Sequence, residues 1–467
     1  MLKKEKKMSN FWDYNVWSFI LIIGALLGSL FIANMLKKAL PFLQKSLIPT
    51  SVLGGLTILV ISFIYKLISG NVLFNEAAFG GNGMNVLEIV TYHALALGFI
   101  ASAFKTNGGK ITKRRSVEII NTGVTTVSTY LLQAIFGLGI TIIASYVISN
   151  FFVAAGVLLP FGYGQGTGQA LNYGKIYQAD FGFESGESFG LTIAALGFLS
   201  AAIGGVFHLN LQKRRGKMVL SSRTDGSLHT DVYEDPNEIP MQESVDKFTV
   251  QIALIVMAYL LTYFIMWGLG SLLPGMKAII YGFNFLLGVL SATLIKVTLN
   301  FLNKKGIVKR KHTNNFLMTR ASNFFFDLMV VAGIAAIRLD VLENYWGIII
   351  ILGFAGLIVT YIYNRIVAKT LFGDYAEEQF LTMYGMLTGT ASTGIILLRE
   401  VDGEFKTPAS DNLVYQNFPA IVLGFPMMFL ATLAPVRPYI CLLIFVAYFI
   451  ALNVFLFRSK IFKTKSK

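Results

Sequence analysis

Long apolar segments, separated by short polar ones, run along almost the whole chain. About 20 consecutive apolar residues are enough to cross the hydrocarbon core of a bilayer as a helix. By that criterion the pattern predicts eleven membrane spans, at about residues 14–35, 48–68, 87–105, 117–149, 188–209, 248–272, 277–301, 316–339, 344–370, 412–434 and 437–457. The sequence therefore predicts an all-α polytopic membrane protein.

Two further apolar segments, at about 151–178 and 377–399, are broken by glycine and polar residues. The first break reads Gly162-Tyr-Gly-Gln-Gly-Thr-Gly-Gln-Ala170, and the second reads Gly385-Met-Leu-Thr-Gly-Thr-Ala-Ser-Thr-Gly394. Inside a bilayer, backbone leaves a helix only where protein or a water-filled cavity takes up its N–H and C=O groups. We predict that both segments are re-entrant hairpins whose tips form a binding site, as in secondary transporters.

The only long hydrophilic stretch, at about 210–247, divides the chain into two membrane halves. Residues 1–209 contain five spans and the first hairpin, and residues 248–434 contain five spans and the second hairpin. Because an odd number of spans precedes the central loop, the second half enters the membrane inverted, as in an inverted repeat. Residues 435–467 add an extra C-terminal helix and a basic tail.

Composition and charge agree with membrane insertion. The chain is 55% hydrophobic and 14% charged, which lies outside the range of ordinary soluble domains. The net charge of +14 comes largely from basic clusters between spans, such as Lys213 and Arg214 at the start of the central loop. This pattern marks cytoplasmic loops rather than a nucleic-acid partner. We predict a multi-pass protein of the plasma (inner) membrane with a cytoplasmic central loop.

The N-terminus and the reactive residues change the picture little. The span count places the N-terminal tail outside, although its Lys3, Lys4, Lys6 and Lys7 are basic, which disagrees with the positive-inside rule. One cysteine and four scattered histidines offer no metal cluster, and no catalytic motif is present. We therefore expect neither an enzyme nor a cofactor.

The candidate site residues come from the two breaks. Each glycine in a helix costs about 1 kcal/mol relative to alanine, so a run of them favours a backbone that turns its carbonyls toward a cation or its N–H groups toward an anion. The alternative is that the glycines only let helices pack closely. The candidate substrate-binding residues are Gly164, Gln165, Gly166, Thr167, Gly168, Gln169, Gly389, Thr390, Ser392 and Thr393.

Oxygen-bearing side chains near the breaks suit a hard cation such as Na⁺. The candidates are Thr167, Thr388, Thr390 and Asp327, although a helical hydroxyl can instead bond only to the preceding turn. Asp327 lies near the centre of its span, where an acidic side chain costs about 2.5–3.5 kcal/mol. It can ligate a cation, accept a proton or pair with Arg320, seven residues earlier. His93, alone on an apolar segment, is a weaker candidate, since such a residue is more often structural.

Three stretches resemble the glutamate:sodium symporter family: Ile48-Pro-Thr-Ser-Val-Leu-Gly-Gly55, Gly164-Gln-Gly-Thr-Gly-Gln-Ala170 and Leu387-Thr-Gly-Thr-Ala-Ser-Thr393. The resemblance implies two inverted repeats of five spans, each with a re-entrant loop, that import glutamate with Na⁺ and form a homodimer. It also implies a periplasmic N-terminus, in agreement with the odd span count. The chain departs from the family at Gln165, where members typically have His, and at Asp327, where they more often carry a small hydroxyl residue.

These observations together predict a sodium-coupled secondary transporter that imports glutamate, or a closely related acidic amino acid, by alternating access. A net negative charge entering a cell loses about 2.3 kcal/mol per 100 mV, so we expect at least two Na⁺ for each glutamate. The expected partners are thus the anionic substrate, Na⁺ and membrane lipid. The alternatives are a Na⁺- or H⁺-coupled carrier for di- or hydroxycarboxylates and, less favoured, an ion channel.

Overall fold

The computed structural model describes residues 10–45, 48–105, 112–215, 238, 245–274, 277–282, 284–307, 309–342, 345–402 and 406–461. Within these ranges the chain is predominantly α-helical and contains no strand. The helices are α1 (Tyr14–Ala39), α2 (Pro41–Lys45), α3 (Thr50–Ser69), α4 (Gly83–Phe104), α5 (Lys113–Val147), α6 (Leu158–Phe181), α7 (Gly186–Arg214), α8 (Lys247–Leu272), α9 (Lys277–Gly282), α10 (Asn284–Lys304), α11 (Asn315–Ala335), α12 (Trp346–Leu371), α13 (Ala376–Thr388), α14 (Ala391–Arg399), α15 (Ala409–Tyr415), α16 (Asn417–Leu433), α17 (Pro438–Leu456) and α18 (Arg458–Ile461).

The membrane-length helices match the predicted spans. In the described ranges, ten helices are long and apolar enough to cross a membrane, and the bent pair α15 and α16 makes an eleventh candidate. The two helices of that pair meet at 48°. The bend falls at Gln416, whose side-chain oxygen accepts a hydrogen bond from Thr126 of α5 at 2.8 Å. The protein is therefore an all-α polytopic membrane protein, as predicted.

Polar residues just before several helices set where those helices begin. The Thr112 hydroxyl accepts from the backbone N–H of Arg115 at the start of α5. The carboxylate of Asp246 caps α8, and the side chain of Asn314 caps α11. Such caps satisfy N–H groups that have no partner within the helix, so these boundaries follow directly from the sequence.

The helices pack as two groups that each draw on both halves of the chain. The first bundle contains α1, α3, α4, α8, α10 and α11, with its most extensive contact between α4 and α11. The second bundle contains α5, α6, α7, α12, α13, α14, α16 and α17, with α5 packed on α12 and α6 packed on α7. Each bundle thus combines corresponding spans of the two halves. The inverted relation of the halves stays a prediction.

Most of the predicted central loop, 216–237 and 239–244, lies outside the described residues, as do the basic tails at 1–9 and 462–467. Within the loop, Glu238 is buried, and its carboxylate lies 2.9 Å from the Lys247 ammonium of α8. Asn314 also donates to this carboxylate, at 2.7 Å. Burial raises the pKa of Glu238, but the hydrogen bonds from Asn314 and Lys247 outweigh burial and lower it overall. Glu238 is therefore held against the starts of α8 and α11.

Candidate functional site

The first broken segment turns back on itself at Gly166. This residue has φ +78° and ψ −171°, a backbone conformation that is essentially restricted to glycine. Two pairs of stacked rings join residues before Gly166 to residues after it. Phe161 stacks on Tyr173 with centroids 3.8 Å apart, and Phe152 stacks on Phe183 at 4.7 Å. The two ends of the segment therefore lie together, and Gly166 forms the tip of a hairpin. Its re-entrant placement in the membrane stays a prediction.

The other glycines of the first break remain helical and serve close packing. Ideal Cβ atoms on Gly162, Gly164 and Gly168 would lie only 2.7, 2.2 and 2.8 Å from neighbouring side-chain atoms. Those neighbours are Ile193 of α7, Tyr130 of α5 and Leu95 of α4 respectively. The packing alternative thus accounts for three of the four alternating glycines. The conformational requirement is confined to Gly166.

The second broken segment has the same shape. Helix α13 ends at Thr388, and α14 begins two residues after Gly389. An ideal Cβ on Gly385 would lie 2.8 Å from the Cα of Gly394, so the two helices run back along each other. Gly389 and Thr390 therefore form the tip of a second hairpin.

The two tips meet, although more than 200 residues separate them in the sequence. An ideal Cβ on Gly166 would lie 3.5 Å from Thr390 Cγ2 and 3.7 Å from the carbonyl oxygen of Gly389. Beside them, the Thr167 hydroxyl donates to the carbonyl of Met329 on α11 at 3.3 Å. The candidate residues of the two breaks are thus brought together, against the wall formed by α11.

Helix N-termini converge on this contact from both hairpins. The second half of α6 begins at Thr167, directly after the tip, and α14 begins at Ala391. Thr390 occupies the N-cap position of α14 without a capping hydrogen bond from its side chain. Backbone N–H groups at helix N-termini attract anions, so the meeting point of the tips could hold a carboxylate.

Gln169, one turn beyond the first tip, carries an unused amide. Its side chain is 1% exposed, and neither its oxygen nor its nitrogen has a hydrogen-bond partner among the described residues. Leaving a buried polar group unsatisfied costs about 1–3 kcal/mol, so this amide is available to a ligand. Gln165, at the tip, is only partly buried.

Helix α5 supports both tips through side chains that the sequence analysis did not single out. The Tyr130 hydroxyl donates to the carbonyl of Gly164 at 3.1 Å. One turn later, the Gln133 amide donates to the carbonyl of Leu387 at 2.9 Å and to Thr360 of α12 at 2.7 Å. The available signal was the occurrence of polar residues, one turn apart, within a predicted span.

The remaining residues of the second tip differ in their surroundings. The Thr388 hydroxyl donates to the Tyr384 carbonyl at 2.6 Å, which is the back-bonding alternative for such a residue. The Thr390 hydroxyl lies 3.4 Å from that of Thr393, which is buried. Ser392 lies in the first turn of α14. Of the three threonine hydroxyls, that of Thr390 is the best placed for an ion at the tips.

Asp327 is partly buried on α11, two residues before the carbonyl that Thr167 contacts. Ser51, at the start of α3, lies near this carboxylate. Among the described residues, Asp327 and Arg320 form no ion pair; the Arg320 guanidinium instead lies 5.0 Å from the Phe316 ring centroid. The structure thus gives no support to the pairing with Arg320, one of the three alternatives for Asp327, and the roles of cation ligand and proton acceptor stay predictions.

His93 lies at the contact between α4 and α8. Its ring Nδ1 is 2.6 Å from the Tyr259 hydroxyl, and its side chain is exposed. This arrangement supports the structural interpretation of His93 rather than a role at the tips.

A cluster of charges joins the two bundles away from the tips. The carboxylate of Glu88, on α4, lies 3.2 Å from Lys175 of α6 and 3.1 Å from Arg338, which follows α11. Lys175 also lies 3.7 Å from Glu187 of α7. Because Glu88 belongs to the first bundle and Lys175 to the second, a relative movement of the bundles would break or remake the ion pair between these two residues.

The fold and the paired tips define a polytopic membrane protein with a polar contact buried among its helices. Comparison with protein-family models finds no match, and comparison with curated proteins finds no similar protein.

Proposed function

We propose that the protein is a secondary transporter that imports glutamate, or a closely related acidic amino acid, together with Na⁺. The observation that carries the proposal is the meeting of the Gly166 and Gly389 tips, with two helix N-termini and the unpartnered Gln169 amide at or near the contact. Broken helices that meet in this way supply both anion- and cation-binding backbone groups in transporters. The choice of glutamate rests on the resemblance of the three sequence stretches.

In this proposal the substrate carboxylates bind at the helix N-termini that begin at Thr167 and Ala391. Gln165 and Gln169 provide further donors and acceptors, which recognise the amino acid. The Thr167 and Thr390 hydroxyls, carbonyls of the tips and the Asp327 carboxylate are the candidate ligands of Na⁺, a cation that favours oxygen ligands.

Alternating access then requires the second bundle, which carries both hairpins, to move against the first. The hydrogen bonds from Tyr130 and Gln133 lie within the second bundle and keep the tips attached to α5. The Glu88 to Lys175 ion pair and the Thr167 to Met329 hydrogen bond cross between bundles. These crossing contacts are the ones that the movement breaks.

The test is uptake of labelled glutamate into proteoliposomes. We expect saturable uptake that needs an inward Na⁺ gradient and rises with an inside-negative potential, because at least two Na⁺ enter with each glutamate anion. Uptake that is unchanged without the Na⁺ gradient would contradict Na⁺ coupling. Stronger competition by dicarboxylates or hydroxycarboxylates would identify the alternative carrier, and unsaturable conductance would identify a channel.

Gln169→Leu separates a ligand-binding role from a structural one. Because the Gln169 amide has no partner within the described part of the chain, we expect its replacement to leave the free energy of unfolding unchanged or to raise it by about 1 kcal/mol. We expect the concentration of glutamate at half-maximal uptake to rise at least about tenfold, the equivalent of one lost hydrogen bond of about 1.4 kcal/mol.

The matched control is Gln133→Leu, which makes the same chemical change at another buried glutamine. Here the carbonyl of Leu387 and the hydroxyl of Thr360 lose their donor, so stability should fall by about 1–3 kcal/mol. If Gln169→Leu destabilises the protein as much as Gln133→Leu does, the amide of Gln169 has a structural partner and the assignment fails.

A further inference from the structure

A cleft of about 550 Å³ lies where α5 begins and α12 ends. Its lining includes Lys113 and Arg114 from α5, Thr370 and Leu371 from α12, and Lys460 from the short helix α18. Tyr130, which supports the first tip, follows Lys113 by 17 residues, or about 25 Å of helix. The cleft is therefore separate from the site assigned to transport.

The cleft carries an excess of positive charge. Its one acidic lining residue, Glu118, lies 3.0 Å from Arg114 and 2.6 Å from Arg115, so its charge is compensated locally. Lys113 and Lys460 are exposed, and neither has an ion-pair partner among the described residues. The N-terminal end of α5 adds the positive end of a helix dipole. These features favour an anionic group between the two lysines.

An exposed apolar face continues from the cleft. Arg458 donates to the side chain of Asn121 at 3.3 Å, which holds the end of α17 beside α5. Beside this contact, Val117 of the cleft lining is 39% exposed on α5, and Phe455 is 44% exposed on α17. A basic cleft above an apolar face matches the two parts of a phospholipid, whereas free phosphate would use only the first.

We propose that this cleft binds the headgroup of an anionic phospholipid in the cytoplasmic leaflet. The headgroup phosphate lies between Lys113 and Lys460, and an acyl chain runs along Val117 and Phe455. Basic pockets between helices at the cytoplasmic surface have the chemistry that recognises such headgroups. The cytoplasmic assignment follows from the basic residues at the ends of these spans.

The test is native mass spectrometry of the full-length protein in neutral detergent, titrated with phosphatidylglycerol. We expect the double variant Lys113→Gln/Lys460→Gln to bind this lipid about 30-fold more weakly, because each lysine contributes roughly a fivefold gain in affinity. Lys113→Arg/Lys460→Arg should restore binding. The matched control, Lys304→Gln/Lys305→Gln, removes two exposed lysines from the end of α10 and should bind as the unchanged protein does.

Three outcomes would overturn the proposal. Equal binding of zwitterionic phosphatidylcholine would show that charge is not recognised. Binding of inorganic phosphate to the cleft with the same affinity as phosphatidylglycerol would identify a site for the free anion. An equal loss in the control double variant would show a general effect of surface charge. The single variants Lys113→Gln and Lys460→Gln, each expected to lose about fivefold, keep the test decisive if the double variant folds poorly.

Discussion

Gly166→Ala should lower the initial rate of glutamate uptake by about 10- to 100-fold while leaving the protein folded. The φ and ψ of Gly166 lie in a region where any other residue is strained by about 1–3 kcal/mol. Space is not the obstacle, because the new Cβ would lie 3.5 Å from its nearest neighbour, Thr390 Cγ2. The strain is instead relieved by changing the tip, and a shifted tip loses the arrangement of helix N-termini that binds the substrate.

The matched control is Gly182→Ala, just after the end of α6. Gly182 also has a positive φ of +74°, and nothing lies within 4 Å of its ideal Cβ. This variant should lose about 1–2 kcal/mol of stability and keep normal uptake. Uptake rates normalised to reconstituted protein, together with thermal midpoints, distinguish the two variants. Normal transport by Gly166→Ala would show that the tip conformation is not required.

Asp327→Asn should remove most of the Na⁺ dependence of uptake, with half-saturation by Na⁺ raised about 100-fold or more. The Asp327 carboxylate lies within a span, near the neutral side chain of Ser51. A charge in that position costs about 2.5–3.5 kcal/mol, and a bound cation offsets this cost. Loss of a comparable interaction energy corresponds to a change of about 100-fold in affinity.

Thermal stability provides a second measurement for the same variant. If Na⁺ binds the folded protein, Na⁺ at 100 times its dissociation constant stabilises it by about 2.7 kcal/mol. We expect this stabilisation in the unchanged protein and in Arg320→Gln, since Arg320 lies over Phe316 and does not pair with Asp327. We expect it to be absent in Asp327→Asn. Proton coupling would be supported instead by two results: uptake by the unchanged protein is driven by a pH gradient, and uptake by Asp327→Asn no longer depends on pH.

The spans were predictable because each carries its own signal of length and apolarity, independent of its neighbours. All eleven predicted spans correspond to helices of the structure, although the last span before the C-terminal helix is bent at Gln416. At the bend, Gln416 accepts a hydrogen bond from Thr126, almost 300 residues away, a contact that no local pattern records. Interpretation of the span pattern therefore gave the helices but not this deformation.

The candidate site was predictable only at the level of its two segments. Four alternating glycines look alike in the sequence, and only the neighbours Tyr130, Ile193 and Leu95 decide which glycines stay helical. Helical spacing also suggested that Arg320 and Asp327 pair, yet seven residues correspond to about 10 Å along the axis. The Arg320 guanidinium lies instead over the ring of Phe316, four residues away. Such choices depend on tertiary contacts, which sequence spacing cannot rank.

Helix α5 has a further consequence for how a bound molecule would cross the membrane. Tyr130 and Gln133, one turn apart, each fasten one hairpin tip to the same rigid rod. In the proposed movement of the second bundle, the distance between the two tips would therefore stay unchanged. The binding site would then move as one unit with its bundle, rather than stay fixed while gates open on either side of it. The hydrogen bond from Thr167 to the Met329 carbonyl of α11, in the first bundle, would break during this movement.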